Sequence, residues 1–434
     1  MPKITYIGAG SSTFAARLIS DLVATPGLDS GTFALVDIDP DRLELSRQIT
    51  EKVIEVSGRD WQVTTATDRT EALPGSDYVI NSIEVAGLEN VLPDYEIPLR
   101  YGVDQCIGDT IGPGGIFKAL RTGPAWLDIV ADVQRLAPKA VVMNYTNPMS
   151  ILTLAAARTS RLPVLGLCHS VQATSRLLAG FLEVPYQELE WRCAGINHDA
   201  WFTTLARGGE DQYPLLRERA RVPEIYEKDP VRFELMLHLG AFVTESSGHF
   251  SEYVPYFRKR PDLLQKYTRA GYRGESGFYA HNWPHWREMN AAAIRGLVDG
   301  SLELDLHRSH EYASFIVEAI ELDRPVEIHG NVVNRGWIEN LAEGGCVEVA
   351  CRVDRNGIQP CKFGALPEQL AALNRAHMSV HELVVQSLLE RDREKARLAL
   401  MLDPLTAAVC SLEEITRMFD EMWEAERPYL SAFE

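Results

Sequence analysis

Three groups of residues in this chain have types and spacings that could do chemistry. The first is GAGSSTF. Gly8 and Gly10 follow an apolar run, KITYI, where missing Cβ atoms let the backbone turn tightly and approach a pyrophosphate at the next helix N-terminus, with Ser11 beside it. Asp37 closes the next apolar run, ALVDID, at about the spacing of one βαβ unit from those glycines. A carboxylate there accepts hydrogen bonds from both ribose hydroxyls and repels a 2′-phosphate, so NAD is favoured over NADP. The motif has Thr13 where a full fingerprint has its third glycine, and the competing reading is a plain strand-to-helix turn with Asp37 as its cap.

The second group is Cys168, His169 and Ser170, which end the run PVLGLCHS, together with His198 in GINHDAW. A thiolate from Cys168 and an imidazole from His198 could hold one divalent ion and leave positions open for substrate oxygens and water. Spacing alone does not make a metal site, because a lone cysteine or histidine is more often structural. Asn144, Thr146 and Asn147 in NYTNPM and Asp109 in IGDTIGPGG could orient sugar hydroxyls, although Asn-Pro and Gly-Pro-Gly-Gly are equally turn sequences. The third group is Tyr253 and Tyr256 in HFSEYVPYFRK. A phenol near a cation could serve as a base, while aromatics at this spacing also serve as packing.

These residues need elements to position them. Short β-branched runs alternate with helical patterns: KITYIGAG, FAARLISDLVA, TFALVDID, PDRLELSRQITEKVIEVSG, then DYVINSI at 77–83 after a loop. A helix over TGPAWLDIVADVQRLAP, a strand over 140–148, a helix over MSILTLAAARTS and a strand over 163–170 continue the rhythm. This predicts an α/β chain: a Rossmann-type, doubly wound parallel sheet over residues 1–195, carrying the nucleotide. Residues 196–434 predict a mixed α+β domain, with helices over 213–270, 301–321 and 367–424. The stretch 326–354 alternates like paired strands. No repeat or flexible linker separates the halves, so they should pack together.

The chain has 434 residues, 61 acidic against 43 basic, a formal charge of −18 and 46% hydrophobic residues. This is an ordinary globular composition, and its charge makes nucleic acid a poor partner. No run is long and apolar enough to predict a membrane span, and MPKITYIGAG enters a strand with no leader pattern. Seven cysteines at irregular spacing predict free thiols in a reducing compartment, hence a cytoplasmic protein.

Taken in order along nearly the whole chain, GAGSSTF, IGDTIGPGG, NYTNPM, GLCHSVQ, GINHDAW, SEYVPYF and NVVNRGWIENL resemble glycoside hydrolase family four, the NAD- and manganese-dependent glycosidases. The resemblance implies a fold similar to lactate and malate dehydrogenases and a homodimer or homotetramer. It also implies Cys168 and His198 as ligands of Mn²⁺ or another divalent transition metal, and Gly8, Gly10, Ser11 and Asp37 as NAD contacts. Asn147 and His169 are implied at the sugar, Asp109 near its reacting end, and Tyr253 or Tyr256 as the base. The string Cys168-His169-Ser170-Val171 resembles the α-galactosidase version and lacks the proline of phosphosugar members, which implies an unphosphorylated α-galactoside. Related members acting on α-glucosides or α-galacturonides are the alternative within the family, and an NAD-dependent hydroxy-acid or sugar dehydrogenase is the alternative outside it. The implied chemistry is oxidation at C3, deprotonation at C2, elimination of the C1 substituent, addition of water and return of the hydride, with no net NADH.

Overall fold

The β-branched runs of the first half become six strands: β1 (Lys3–Ile7), β2 (Ser30–Val36), β3 (Asp60–Ala66), β4 (Tyr78–Asn81), β5 (Val141–Asn144) and β6 (Val164–Gly166). The structure, a computed structural model, describes residues 1–11 and 14–433. Thr13, which stands at the third-glycine position, lies outside the described residues. The six strands pair in parallel in the order β3-β2-β1-β4-β5-β6. The order reverses between β1 and β4, and a crevice therefore opens beyond their carboxyl ends, where doubly wound sheets take their ligands.

Period-two alternation builds a core on each face of this sheet. Ile4, Tyr6, Phe33 and Leu35 pack with Leu18, Leu22 and Val53 of the helices Ala15–Ala24 and Pro40–Ser57. Ile7, Ala34, Val36 and Val79 pack on the other face with Trp126, Ile129 and Val133 of the helix Gly112–Leu136.

After β6 the strands run antiparallel: β7 (Glu190–Ile196), β8 (Asp199–Arg207), β9 (Glu210–Asp211), β10 (Phe242–Val243), β11 (Val326–Val333), β12 (Cys346–Asp354) and β13 (Gly357–Pro360). β11 joins β6 through Asn331 and Gly166, and β12 joins β7 through Glu348 and Gly195. Among the described residues this makes one thirteen-stranded sheet across both halves. Its antiparallel part brings the β7–β8 turn and the end of β10 beside the carboxyl end of β6.

Several elements differ from the sequence reading. β3, over WQVTTA, falls in a stretch read as loop; it is an edge strand whose residues are mostly exposed, so it carries no apolar run. The helix Gly112–Leu136 begins inside GPGG, which reads as a turn. A Cβ at Gly114 would stand 2.5 Å from Gly108 O, and one at Gly115 2.4 Å from Thr110 C, so these glycines let the helix start flush against the Asp109 loop. The helix Phe278–Asp299 has no sequence signature: it buries only Ala280, Ile294 and Gly296 and shows no apolar stripe. The helix expected over 301–321 begins at Tyr312, because the residues before it are tied down irregularly, Ser309 N donating to Asp21 at 2.7 Å. No helix among the described residues is long and apolar enough to cross a membrane.

Candidate active site

Gly8 (φ 82°) leaves β1 in the left-handed region, and a Cβ there would stand 2.8 Å from the Ser82 carbonyl. A Cβ at Gly10 would stand 2.7 Å from both Asp37 Oδ2 and Arg42 Cβ. Gly10 N donates to Asp37 Oδ2 at 2.7 Å and Asp39 N to Asp37 Oδ1 at 3.0 Å, so the carboxylate at the end of β2 clasps the glycine turn. Gly8, Gly10, Ser11 and Asp37 line a cavity of about 580 Å³. Backbone stripped of Cβ atoms, a carboxylate at the cavity wall and the switch-point location are the features a dinucleotide site needs, and these residues fit NAD.

A second cavity, of about 840 Å³, adjoins the first and shares Ser11, Ser82, Glu84 and Trp283 with it. It brings together Asp109, Asn147, the Cys168-His169 pair and His198 from separate stretches of the chain. Cys168 follows β6 and precedes the helix Ser170–Leu182. His198 sits in the two-residue turn between β7 and β8 at φ 65°, a left-handed conformation costly for a non-glycine residue and typical of functional turns. Glu245, two residues past β10, completes a set with Cys168 and His198 whose ligand atoms all lie within 4.8 Å of one another. One thiol, one imidazole and one carboxylate suit a divalent transition ion with open positions for substrate.

The electrostatics are those of a site built for positive charge. Burial would push the Glu245 carboxyl up, but His198 and His249 outweigh it and hold it down to about 2. The Cys168 thiol is pushed well up, first by burial and then by Glu348 and Glu245. Without a cation it stays protonated, so metal binding and thiol ionisation are coupled. Asp109 accepts from Lys118 Nζ at 3.4 Å and Asn147 Nδ2 at 3.3 Å. Burial opposes its ionisation, yet Lys118, then His249, keep its carboxyl well below the ordinary range. Lys118 itself, 5% exposed, is gripped between Asp109 and Glu84 Oε2, the latter at 2.9 Å. His169 is largely exposed at the cavity, its Nδ1 4.0 Å from Glu311 Oε1. Asn144 is fully buried and donates to Thr146 O, bracing the turn before Asn147.

The two tyrosines of SEYVPYF are placed differently from the sequence reading. Neither lines the cavity. Tyr256 is 46% exposed and its ring packs edge-on to that of Phe257. Tyr253 is buried behind His198, its hydroxyl 3.2 Å from His198 Nδ1. The phenols at the cavity wall include Tyr272 and Tyr279, and the charges of Asp109 and Glu245 both act on Tyr272. Sequence reasoning missed Glu245, Lys118 and Tyr272. Glu245 had one usable signal, a carboxylate just beyond the short apolar run AFVT.

Residues 3–184 match the model of the family 4 glycosyl hydrolases, and residues 193–406 match that of the family 4 glycosyl hydrolase C-terminal domain. An α-galactosidase of Bacillus subtilis (strain 168) is 40% identical, with all of both chains covered. Among solved structures, the putative glucosidase LplD from Bacillus subtilis superposes with a TM-score of 0.87 at 27% identity, over 97% of this chain and 99% of that one. A 6-phospho-α-glucosidase from gut microorganisms, solved in complex with NAD and Mn²⁺, shares the fold at a TM-score of 0.81 and 21% identity, over 99% of this chain and 98% of that one. Two successive domain models and a relative matched over its full length agree: this chain belongs to glycosyl hydrolase family 4.

Proposed function

We propose that this chain hydrolyses unphosphorylated α-galactosides, using NAD held by Gly8, Gly10, Ser11 and Asp37 and a divalent ion, Mn²⁺ by preference, held by Cys168, His198 and Glu245. The observation that carries the reading is the Cys168–His198–Glu245 donor set at the wall of a cavity that opens into the dinucleotide cleft. The full-length α-galactosidase relative supports the sugar, as does the absence of proline after Cys168-His169-Ser170. We assign residues 1–195 to nucleotide binding and the cavity-facing part of 196–434 to catalysis.

When bound, the two groups supply transient oxidation at sugar C3 and charge stabilisation beside it, which makes the C2 proton acidic enough for loss of the C1 substituent and re-addition of water. Asp109 and Asn147 orient the hydroxyls, the carboxylate kept ionised by Lys118 so that it accepts from them. His169, next to Cys168 in the chain, lines the same cavity and is assigned to the sugar. Tyr272 takes the C2 proton at its hydroxyl. Burial, then Asp109, raise this phenol, so it ionises more readily when a positive charge stands beside it. Tyr253 holds His198 rather than the substrate. Seven unbridged thiols support a cytoplasmic setting, and homo-oligomeric assembly is carried over from the family.

The test is incubation with nitrophenyl α-galactoside in the presence of NAD⁺, Mn²⁺ and thiol, alongside α-glucoside and α-galacturonide. Cleavage without net NADH, abolished by stripping the nucleotide or by Cys168→Ser, is the expected result. Steady NADH accumulation would mark a sugar dehydrogenase instead.

A further inference from the structure

The loop that presents Asp109 has an anchor of its own. Three successive backbone N–H groups converge on one carboxylate: Cys106 N and Ile107 N donate to Glu252 Oε1 at 2.7 and 2.6 Å, and Gly108 N to Oε2 at 3.0 Å. Gln105 Nε2 adds a fourth donor to Oε2 at 3.1 Å. Glu252 is 1% exposed, on the short helix Ser247–Tyr253, and it does not line the substrate cavity. Asp109 is the next residue after these donors. The same loop also holds the facing wall: Gly277 N donates to Gln105 O at 2.8 Å and Tyr279 N to Cys106 O at 3.0 Å. Gly248 packs so closely that a Cβ there would stand 2.4 Å from Tyr272 O.

We propose that Glu252 is a positioning residue for this site: its ionised carboxylate gathers the three N–H groups and so fixes where Asp109 and Tyr279 stand in the substrate cavity. The inference rests on the function proposed above. A carboxylate accepts from several donors at once, whereas its protonated form turns one oxygen into a donor facing other donors. Among the described residues, the charged and titratable groups coupled to Glu252 include Arg258, the Cys106 thiol and the Tyr253 phenol. Arg258 is already committed to Asp104 at 2.6 Å, and burial keeps the thiol and the phenol protonated. Burial pushes Glu252 up to about 7, against the pull of Arg258 and the N–H groups. The anchor is therefore complete on the alkaline side of neutrality and opens on the acid side.

The wild-type chain tests this by hydrogen exchange. Protection of the Cys106, Ile107 and Gly108 amides, corrected for intrinsic rates, should fall about tenfold between about pH 8 and about pH 6. Glu252→Gln should show the low protection at both pH values, lower kcat/KM about tenfold at about pH 8, and lose the acid limb of the wild-type profile. Protection that ignores pH, or a Glu252→Gln profile retaining the wild-type acid limb, would overturn the proposal. If the variant does not fold, the wild-type exchange decides alone. If protection titrates while the wild type cleaves no glycoside, the anchor stands and the proposed function falls.

Discussion

Replacing Tyr253 with phenylalanine removes a single oxygen, and the structure states what that oxygen does. It lies 3.2 Å from His198 Nδ1, while His198 Nε2 lies 3.5 Å from Glu245 Oε2 and so faces the other donors. The hydroxyl thus fixes the ring and its tautomer from behind. The ring that carries it is 1% exposed, stacked on Phe250 at 5.5 Å and set against His377 at 5.1 Å, so Tyr253→Phe keeps its packing. Loss of an orienting partner behind a metal-ligating histidine typically weakens metal affinity about 10- to 100-fold, which is about 1.4 to 2.8 kcal/mol. Titration with Mn²⁺, followed by the electron paramagnetic resonance of the free ion, should show that loss while NAD affinity is unchanged. At saturating Mn²⁺ the variant should recover most of its turnover. An unchanged Mn²⁺ affinity would refute the orienting role. Turnover abolished even at saturating Mn²⁺ would return Tyr253 to the role of proton acceptor, in place of Tyr272.

Gly10→Ala should weaken NAD binding, measured by fluorescence titration, by about tenfold or more, because the added methyl would meet Asp37 Oδ2 and Arg42 Cβ at 2.7 Å; unchanged affinity would show that the glycine turn does not carry the pyrophosphate. The four deeply buried histidines should each cost stability on acidification, against the opposite contribution of buried carboxyls such as Glu252 and Glu348, which are raised to about 7. Burial pushes His249, His329 and His377 down to about 4 and His381 to about 3, whereas an unfolded histidine protonates near 6.5. At each of these histidines the unfolded chain binds the proton more readily between those values, so its contribution to stability is lost as pH falls from about 6.5 towards about 4, by up to about 1.4 kcal/mol per pH unit. Urea unfolding of His381→Asn should therefore depend less steeply on pH than the wild type between about pH 6.5 and about pH 5, and parallel profiles would contradict this.

The nucleotide cleft was readable because it is local. Gly8, Gly10 and Asp37 belong to one βαβ unit, and an apolar strand followed by a glycine turn has few ways to fold. The same holds for β1, β2, β4 and β5, whose buried runs stand out, and fails for β3 and for Phe278–Asp299, where partial exposure erases the pattern. The glycines of GPGG read as a turn because nothing nearby in the chain shows that Gly108 O and Thr110 lie against them.

Residue type and strand-end position determined by themselves that Cys168 and His198 were candidates for a metal, and that a nucleotide would sit at the first glycine turn. Only the tertiary structure decided that Glu245 joins them, that Lys118 holds Asp109 ionised, that Tyr253 stands behind His198 and that Tyr256 does not line the cavity. The physical reason is range. A turn or a strand follows from neighbours a few residues apart, while a donor set closes through β10, β8 and β6, which share one sheet only because β11 and β12, from far later in the chain, join β6 at Gly166 and β7 at Gly195.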